Sequence, residues 1–124
     1  MRRIYIRAAE QISLQQPLSE AWMESPVRVD APWAPAQDPD FRAWLSAGES
    51  RRLGRILKRA LVSLLTIVRK TGVEHPDAIC VGTGLGCMVN TERILETLCN
   101  EGESMVSPTH FMQSTHNTIA SLLA

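Results

Sequence analysis

A short apolar run leads directly into a glycine-rich segment in the second half of the chain. Residues 78–81 read Ala-Ile-Cys-Val and are apolar at every position, which is typical of a parallel strand covered on both faces. Residues 82–86 follow at once as Gly-Thr-Gly-Leu-Gly, and helical spacing of apolar residues then runs over 91–100, with Asn90 as candidate N-cap. This order predicts a strand, a turn and a helix.

Other segments add to this pattern. The major helix is predicted from Glu49 to about Lys70, where apolar residues recur at helical spacing, and Gly72 is its candidate C-terminal cap. A short strand is expected over residues 4–9 because they are β-branched and aromatic. Asp38-Pro39-Asp40 favours the start of a short helix, and Ser107-Pro108 predicts the start of a helix that continues to the last residue.

Proline dominates the region before these helices. Five of the seven prolines and two of the three tryptophans lie between Pro17 and Pro39. Proline opposes regular structure, whereas tryptophan offers a large apolar anchor. The composition therefore predicts an ordered loop that packs on the rest of the molecule.

Charge is unevenly distributed along the chain. The 124 residues carry 13 basic and 13 acidic side chains, but the part through Gly72 is near +5 and the remainder is near −5. Five basic residues crowd the first half of the major helix: Arg51, Arg52, Arg55, Lys58 and Arg59. They form either a surface for an acidic partner or phosphate, or simply a solvated helix face. Nothing in this pattern requires nucleic acid as a partner.

The composition bounds size and location. With 44% hydrophobic residues the chain can bury a modest core, which fits a single unit over residues 1–124. No apolar h-region follows the N-terminal arginines, and the apolar stretch 60–68 is too short for a membrane span of about 20 residues. We therefore expect a cytoplasmic protein with no membrane span.

Candidate reactive residues are few. Cys87 follows the glycine-rich segment near a helix start, where it is either a nucleophile or, more commonly, a small buried thiol. Cys80 and Cys99 are interpreted as packing residues, and the odd number of cysteines fits neither a zinc site nor a closed set of disulfides. His110 and His116 lie six residues apart, which does not place two imidazoles at one metal, and His75 is expected in an exposed turn.

Residues 82–86 have two possible roles. Glycines in such a segment permit a tight turn that packs a helix against a strand, or a close backbone approach to a phosphate. The segment has neither the lysine of a P-loop nor the spacing of GxGxxG. A turn is the preferred interpretation, a nucleotide-binding module is the alternative, and no catalytic, cofactor or metal residue is assigned.

Several stretches, taken in order, resemble the N-terminal region of β-ketoacyl synthases, especially the branch found with aryl-polyene or flexirubin-type pigment synthesis. The stretches that carry the resemblance are Ile4-Tyr5-Ile6, Ile12-Ser13, Asp38-Pro39-Asp40-Phe41, Arg51-Arg52-Leu53-Gly54-Arg55-Ile56, residues 79–86, Thr91-Glu92-Arg93, residues 107–111 and Asn117-Thr118-Ile119-Ala120. Their order is more specific than any single motif.

The resemblance implies the N-terminal half of a thiolase-like αβαβα fold, incomplete at Ala124. It implies a complete protein that condenses an acyl thioester with malonyl-carrier protein, using a cysteine at a strand-to-helix elbow and two histidines from its second half. Cys87 stands where the family commonly has glycine, and neither His110 nor His116 matches the family's histidine motifs, so no catalytic residue is carried over.

The resemblance also implies partners. These are an acyl carrier protein and a second ketosynthase-like subunit, in a homodimer or a heterodimer. Because the catalytic motifs are absent through Ala124, the chain alone is expected to be inactive. The alternative is a non-catalytic partner that resembles the chain-length factors paired with condensing enzymes.

Overall fold

The computed structural model describes residues 3–15 and 24–124, and its regular structure in these ranges is helical. From residue 41 onward five α-helices follow one another: α1 (Ala47–Arg52), α2 (Arg55–Thr71), α3 (Met88–Asn100), α4 (Pro108–Ser114) and α5 (Thr118–Leu123). Two short 3₁₀ turns, Phe41–Ala43 and Glu103–Met105, precede α1 and α4. The described ranges contain no β-strand.

The predicted α/β, thiolase-like fold is therefore wrong for this structure. Residues 4–9 and 78–81, both predicted as strands, take no regular secondary structure. Ile4 is 96% exposed and Ile6 89% exposed, so neither lies against a sheet or a helix. A strand is stabilised by ladder hydrogen bonds and cross-strand side-chain pairs, and β-propensity alone does not form one where no second strand is paired with it.

The predicted helix from Glu49 to Lys70 is divided into α1 and α2. Leu53 has extended backbone angles (φ −100°, ψ 130°), and Gly54 is the N-cap of α2. Glycine inside a helix costs about 1 kcal/mol relative to alanine, so a break at this position is inexpensive. The sequence analysis also missed the start of α1, where Ser46 and Glu49 form a capping box: the Glu49 amide donates to Ser46 Oγ at 3.3 Å, and the Ser46 amide to Glu49 Oε2 at 2.9 Å.

The end of α2 is as predicted. Gly72 adopts the left-handed conformation at φ +68°, and its amide donates to the carbonyl of Val68 at 2.8 Å. Glycine enters this region without the steric cost that a Cβ atom brings. The 17-residue α2 is the longest helix of the described ranges and carries two of their buried residues, Leu57 and Val62.

The main core cluster is small and lies where α2, α3 and α5 meet. Leu57 is 1% exposed and packs with Cys87, at the N-cap of α3, and Ile119 of α5. Partly buried apolar residues surround these three: Leu53, Ala60, Leu122 and Leu123. Their contacts hold the start of α2 against the C-terminal helices.

The C-terminal helices differ in their limits from the prediction. Helix α3 begins at Met88 with Cys87 as N-cap, so Asn90 lies inside the helix and is not its cap. Ser107 and Pro108 do begin a helix, as predicted, but the helix stops at Ser114. The hydroxyl of Thr118 donates to the carbonyl of Met112 at 2.7 Å, and such local side-chain bonds compete with the helical backbone pattern.

The proline-rich region is only partly covered by the structure. The part of the predicted packed loop over residues 16–23, which includes Trp22, lies outside the described residues. Residues 24–35 are exposed, and Trp33 is 88% exposed, so the expectation is wrong for this part. The side chain of Gln15 forms hydrogen bonds with both backbone groups of Val27. Its Oε1 accepts from the backbone N–H at 2.7 Å, and its Nε2 donates to the carbonyl at 2.9 Å.

Asp38-Pro39-Asp40 leads into a 3₁₀ turn instead of the predicted short α-helix. Asp40 caps this turn by accepting from the amide of Arg42 at 3.0 Å. None of the helices in the described ranges has both the length and the apolarity needed to cross a bilayer.

Candidate functional site

The strongest candidate site is a cleft between the first turns of α2 and α3. Its volume is about 550 Å³. The residues that matter for its chemistry are Gly54, Arg55, Arg59, Gly86, Cys87 and Asn90. The N-caps of the two helices, Gly54 and Cys87, provide no side-chain hydrogen bond to the first backbone amides. Neither helix has an acidic residue in its first turn.

The chain bends at residues 84–87, directly before α3, and no strand precedes this bend, so the predicted turn between a strand and a helix is not formed. The amide of Gly86 donates to Thr83 Oγ1 at 2.9 Å. Gly86 has φ +59°, and a Cβ atom there would lie 3.7 Å from the Cα of His116, which is an ordinary van der Waals contact. Glycine is therefore required at position 86 by the backbone conformation and not by a lack of space.

Cys87 occupies the position that most resembles that of a nucleophile, but its environment is that of a packing residue. Its side chain is 3% exposed and lies in the core cluster with Leu57 and Ile119. Burial raises the pKa of the Cys87 thiol, so the reactive thiolate is disfavoured. No hydrogen bond joins this thiol to a base in the part of the chain that the structure describes. The geometry favours the interpretation as a small buried thiol.

A polar network beside the cleft was missed by the sequence analysis. Asn90 is 7% exposed, and its Oδ1 lies 3.3 Å from Nδ1 of His110. Because an amide oxygen only accepts, Nδ1 is the donor in this bond. Asn90 Nδ2 donates to Gln113 Oε1 at 3.3 Å, and Gln113 in turn donates to the carbonyl of Arg52. The network ties α3, α4 and the end of α1 together.

The sequence analysis singled out Asn90 but took it for the N-cap of the helix, because asparagine favours caps and turns over helix interiors. The structure places it third in α3. Its partners are 20 and 23 residues away, in a helix whose packing against α3 is set by tertiary contacts. Sequence spacing does not identify them.

The basic cluster is partly neutralised by the chain itself. Arg59 forms an ion pair with Asp38, and Arg55 Nε lies 3.7 Å from the second oxygen of the same carboxylate. The ammonium of Lys58 lies 5.8 Å from the ring centre of Phe41. Arg51 and Arg52 are exposed, and neither forms an ion pair within residues 3–15 and 24–124. Within these ranges three of the five cations therefore have no carboxylate partner: Arg51, Arg52 and Lys58.

The remaining candidates are dispersed. Cys80 and Cys99 are exposed, so their interpretation as packing residues is wrong, and His75 is exposed as predicted. His110 lies half-buried in α4, whereas His116 is exposed in the turn before α5. No group of three or more metal-ligating side chains forms among the residues that the structure places.

Comparison with known proteins adds no assignment: no family model matches the chain, and no curated protein is similar to it.

Proposed function

We propose that this chain is the N-terminal portion of a β-ketoacyl-[acyl-carrier-protein] synthase-like protein. The complete form would condense an acyl thioester with malonyl-carrier protein in fatty acid, polyketide or aryl-polyene synthesis. The observation that carries the proposal is the order of the motifs, above all residues 79–86 followed by Thr91-Glu92-Arg93. The proposal concerns this activity and does not extend to the αβαβα architecture, which the helical structure contradicts.

The environment of the cysteines supports a non-catalytic role for this part of the protein. A condensing enzyme needs an accessible thiolate that can take up an acyl group. Cys87 is buried with a raised pKa, and the exposed Cys80 and Cys99 have no hydrogen-bonded base among the described residues. We therefore expect no condensation by this chain alone.

The free guanidinium groups support contact with an acidic carrier protein. Arg51 and Arg52 lie in the last turn of α1 and are exposed. Exposed charges of this kind attract an oppositely charged partner and raise its association rate more than its final affinity. Within the proposed function, this end of α1 is the docking point for the carrier protein.

Uncovered apolar residues support a role inside a larger assembly. Ile4, Tyr5 and Ile6 are each more than 70% exposed, and Leu85 is 74% exposed. Apolar surface of this extent is favourably buried by a partner. The remainder of a larger protein, or a second subunit, would supply that cover.

The test is a titration of the chain with an acyl carrier protein, followed by calorimetry and NMR. Arg51→Glu with Arg52→Glu should weaken binding by about tenfold or more, since each charge reversal replaces attraction with repulsion. The matched control is Arg7→Glu with Arg28→Glu, which makes the same change of net charge at exposed positions outside α1. Absence of binding by the natural chain, or equal loss in both variants, would contradict the proposed docking point.

A second candidate function is a chain-length-factor-like partner of a condensing enzyme, and the buried Cys87 without a bonded base among the described residues favours it. The coding sequence beyond Ala124 separates the two. An elbow cysteine that labels with a cerulenin-like probe, with histidines after it, would support the condensing enzyme. A longer chain without these residues would support the partner.

A further inference from the structure

A second cleft lies beside the 3₁₀ turn Phe41–Ala43, where this turn, α1 and the start of α2 come together. Its volume is about 680 Å³, which is within the range of about 300–1,000 Å³ that is usual for small-molecule sites. Three of its lining residues are cations, and each comes from a different element: Arg42 from the 3₁₀ turn, Arg51 from α1 and Lys58 from α2. We call it the three-cation cleft.

No carboxylate neutralises these cations in the part of the chain that the structure describes. None of the three forms an ion pair there, and no acidic residue lines the cleft. The acidic residues closest to them in the sequence hold the backbone instead: Asp40 caps the 3₁₀ turn, and Glu49 belongs to the capping box of α1. Three like charges around one cleft repel one another, so an anion that enters the cleft is stabilised.

The charged groups of the cleft are hydrogen-bond donors and not acceptors. The guanidinium groups of Arg42 and Arg51 present planar pairs of N–H groups that match two oxygens of a phosphate, and the Lys58 ammonium adds a compact charge. This ammonium lies 5.8 Å from the ring centre of Phe41, a contact that limits the positions it takes. Ser50 adds a half-buried hydroxyl that makes no hydrogen bond among the described residues. A matching ligand therefore supplies several acceptor oxygens.

The number of charges favours two linked phosphates over one. A phosphate monoester carries about −1.5 to −2 charges at neutral pH and would leave part of the three positive charges uncompensated. A second phosphate supplies the missing charge. Leu45, which is 7% exposed, and the half-buried Leu53 add apolar surface beside the cations. We propose that the three-cation cleft binds the diphosphate group of a small molecule.

This inference does not rest on the proposed function. Arg51 belongs both to the cleft and to the proposed docking point for a carrier protein, whereas Arg42 and Lys58 lie outside that docking point. Substitutions at Arg42 and Lys58 therefore test the cleft alone.

The experiment is isothermal titration calorimetry of the 124-residue chain with inorganic pyrophosphate, in metal-free buffer at constant ionic strength. One site per chain is expected, with a dissociation constant at least about tenfold lower than that for orthophosphate, because pyrophosphate engages more of the three cations. No binding of pyrophosphate, or equal affinity for pyrophosphate and orthophosphate, would overturn the proposal. Equal affinity for citrate, whose negative charges are on carboxylates, would also overturn it.

Charge removal makes the test specific. Arg42→Gln with Lys58→Gln should weaken pyrophosphate binding by about tenfold or more, since two of the three charges are lost. The matched control is Arg7→Gln with Arg93→Gln, which removes two exposed cations that do not line the cleft and should leave the dissociation constant within about twofold. Circular dichroism checks that both variants keep their helices. Equal weakening in the two variants would count against the cleft as the binding site.

Two-dimensional NMR locates the ligand without any substitution. Pyrophosphate should shift the amide signals of residues 42–51, whereas shifts centred on residues 86–90, in the cleft between α2 and α3, would overturn the proposal. Adenosine diphosphate is titrated in the same way. Tighter binding of adenosine diphosphate than of pyrophosphate indicates a nucleotide as the source of the diphosphate, and tighter binding of pyrophosphate indicates the free anion. Both results support a diphosphate ligand.

The two proposals fail separately. The variant with Arg42→Gln and Lys58→Gln keeps Arg51 and Arg52, so it should still bind acyl carrier protein if the proposed docking point is right. Loss of pyrophosphate binding with retained carrier binding supports both proposals. Failure of the natural chain to bind carrier protein, while it binds pyrophosphate in the cleft, contradicts only the proposed function.

Discussion

Asn90 Oδ1 accepts a hydrogen bond from His110 Nδ1 across 3.3 Å, and this bond joins the first turn of α3 to the middle of α4. The asparagine amide also donates to Gln113, so one nearly buried side chain has two partners on the neighbouring helix. Buried polar groups are tolerated only when they are paired in this way.

Replacing Asn90 by alanine should lower the free energy of unfolding by about 1–3 kcal/mol, because His110 and Gln113 each lose a partner in a poorly hydrated site. Urea denaturation followed by circular dichroism measures the change. Asn100→Ala, at the exposed end of the same helix, is the control and should shift it by less than about 0.5 kcal/mol. Equal effects of the two substitutions would contradict a structural role for the network.

Leu57 is the most deeply buried large side chain of the described residues. Leu57→Ala should cost about 2–5 kcal/mol, from lost apolar burial and from the cavity left between α2, Cys87 and Ile119. The neighbouring Ile56 is 38% exposed, and Ile56→Ala should cost less than half as much. The same urea experiment compares them, and a larger loss at Ile56 would show that the core lies elsewhere.

Two glycines should respond to alanine with opposite signs. Gly86→Ala should destabilise the fold by about 1–2 kcal/mol, since φ +59° is unfavourable for a residue with a Cβ atom. Gly48 lies inside α1 with nothing within 4 Å of the position of a Cβ atom, so Gly48→Ala should stabilise by up to about 1 kcal/mol. Thermal denaturation of both variants gives the signs, and stabilisation by Gly86→Ala would contradict the turn geometry.

The capping box makes stability depend on pH. Hydrogen bonds from the side chain and the backbone of Ser46 hold the pKa of the Glu49 carboxyl below its ordinary value. The ionised Glu49 carboxyl therefore contributes to stability at pH values above its ordinary pKa, which it has in the unfolded chain. This contribution is lost as the pH falls through the lowered pKa that the same carboxyl has in the folded chain. Glu49→Gln should reduce the melting temperature at neutral pH, and this reduction should shrink in acid. Glu74→Gln, in an exposed loop outside the capping box, is the control and should reduce the melting temperature at neutral pH less than Glu49→Gln does.

The three cysteines should differ in reactivity. Cys80 and Cys99 are exposed, whereas burial raises the pKa of Cys87 and shields its sulfur. Alkylation with iodoacetamide at mildly alkaline pH, followed by peptide mass spectrometry, should label Cys80 and Cys99 rapidly and Cys87 slowly. All three should react alike in urea. Rapid labelling of Cys87 in the folded chain would reopen its interpretation as a nucleophile.

Features that depend on a few neighbouring residues were predictable from the sequence. Gly72 ends α2 because glycine readily adopts the left-handed conformation. Ser107-Pro108 begins α4 because proline, which lacks an amide hydrogen, is tolerated at the first position of a helix. The burial of Cys87 also agrees with the general behaviour of a small thiol. These are local or compositional constraints, and they need no knowledge of the fold.

Features that depend on distant residues were not predictable in the same way. Residues 78–81 have strand-like composition, but a strand exists only where a second strand pairs with it, and none does so here among the described residues. A glycine at position 54 is compatible with one continuous helix or with a break between two helices. In the structure the helix is broken there, and Leu57 packs against Cys87 and Ile119. The candidate site also depends on distant residues, because the hydrogen-bond partners of Asn90 lie in helix α4.

The bond from Gln113 to the carbonyl of Arg52 closes a loop across 61 positions of the sequence. Helices form within about a microsecond, but a contact between such distant residues must first overcome the entropy of loop closure. The chain should therefore fold more slowly than its helical content suggests, with α2 and α3 formed early and the junction of α1 with α4 completed late.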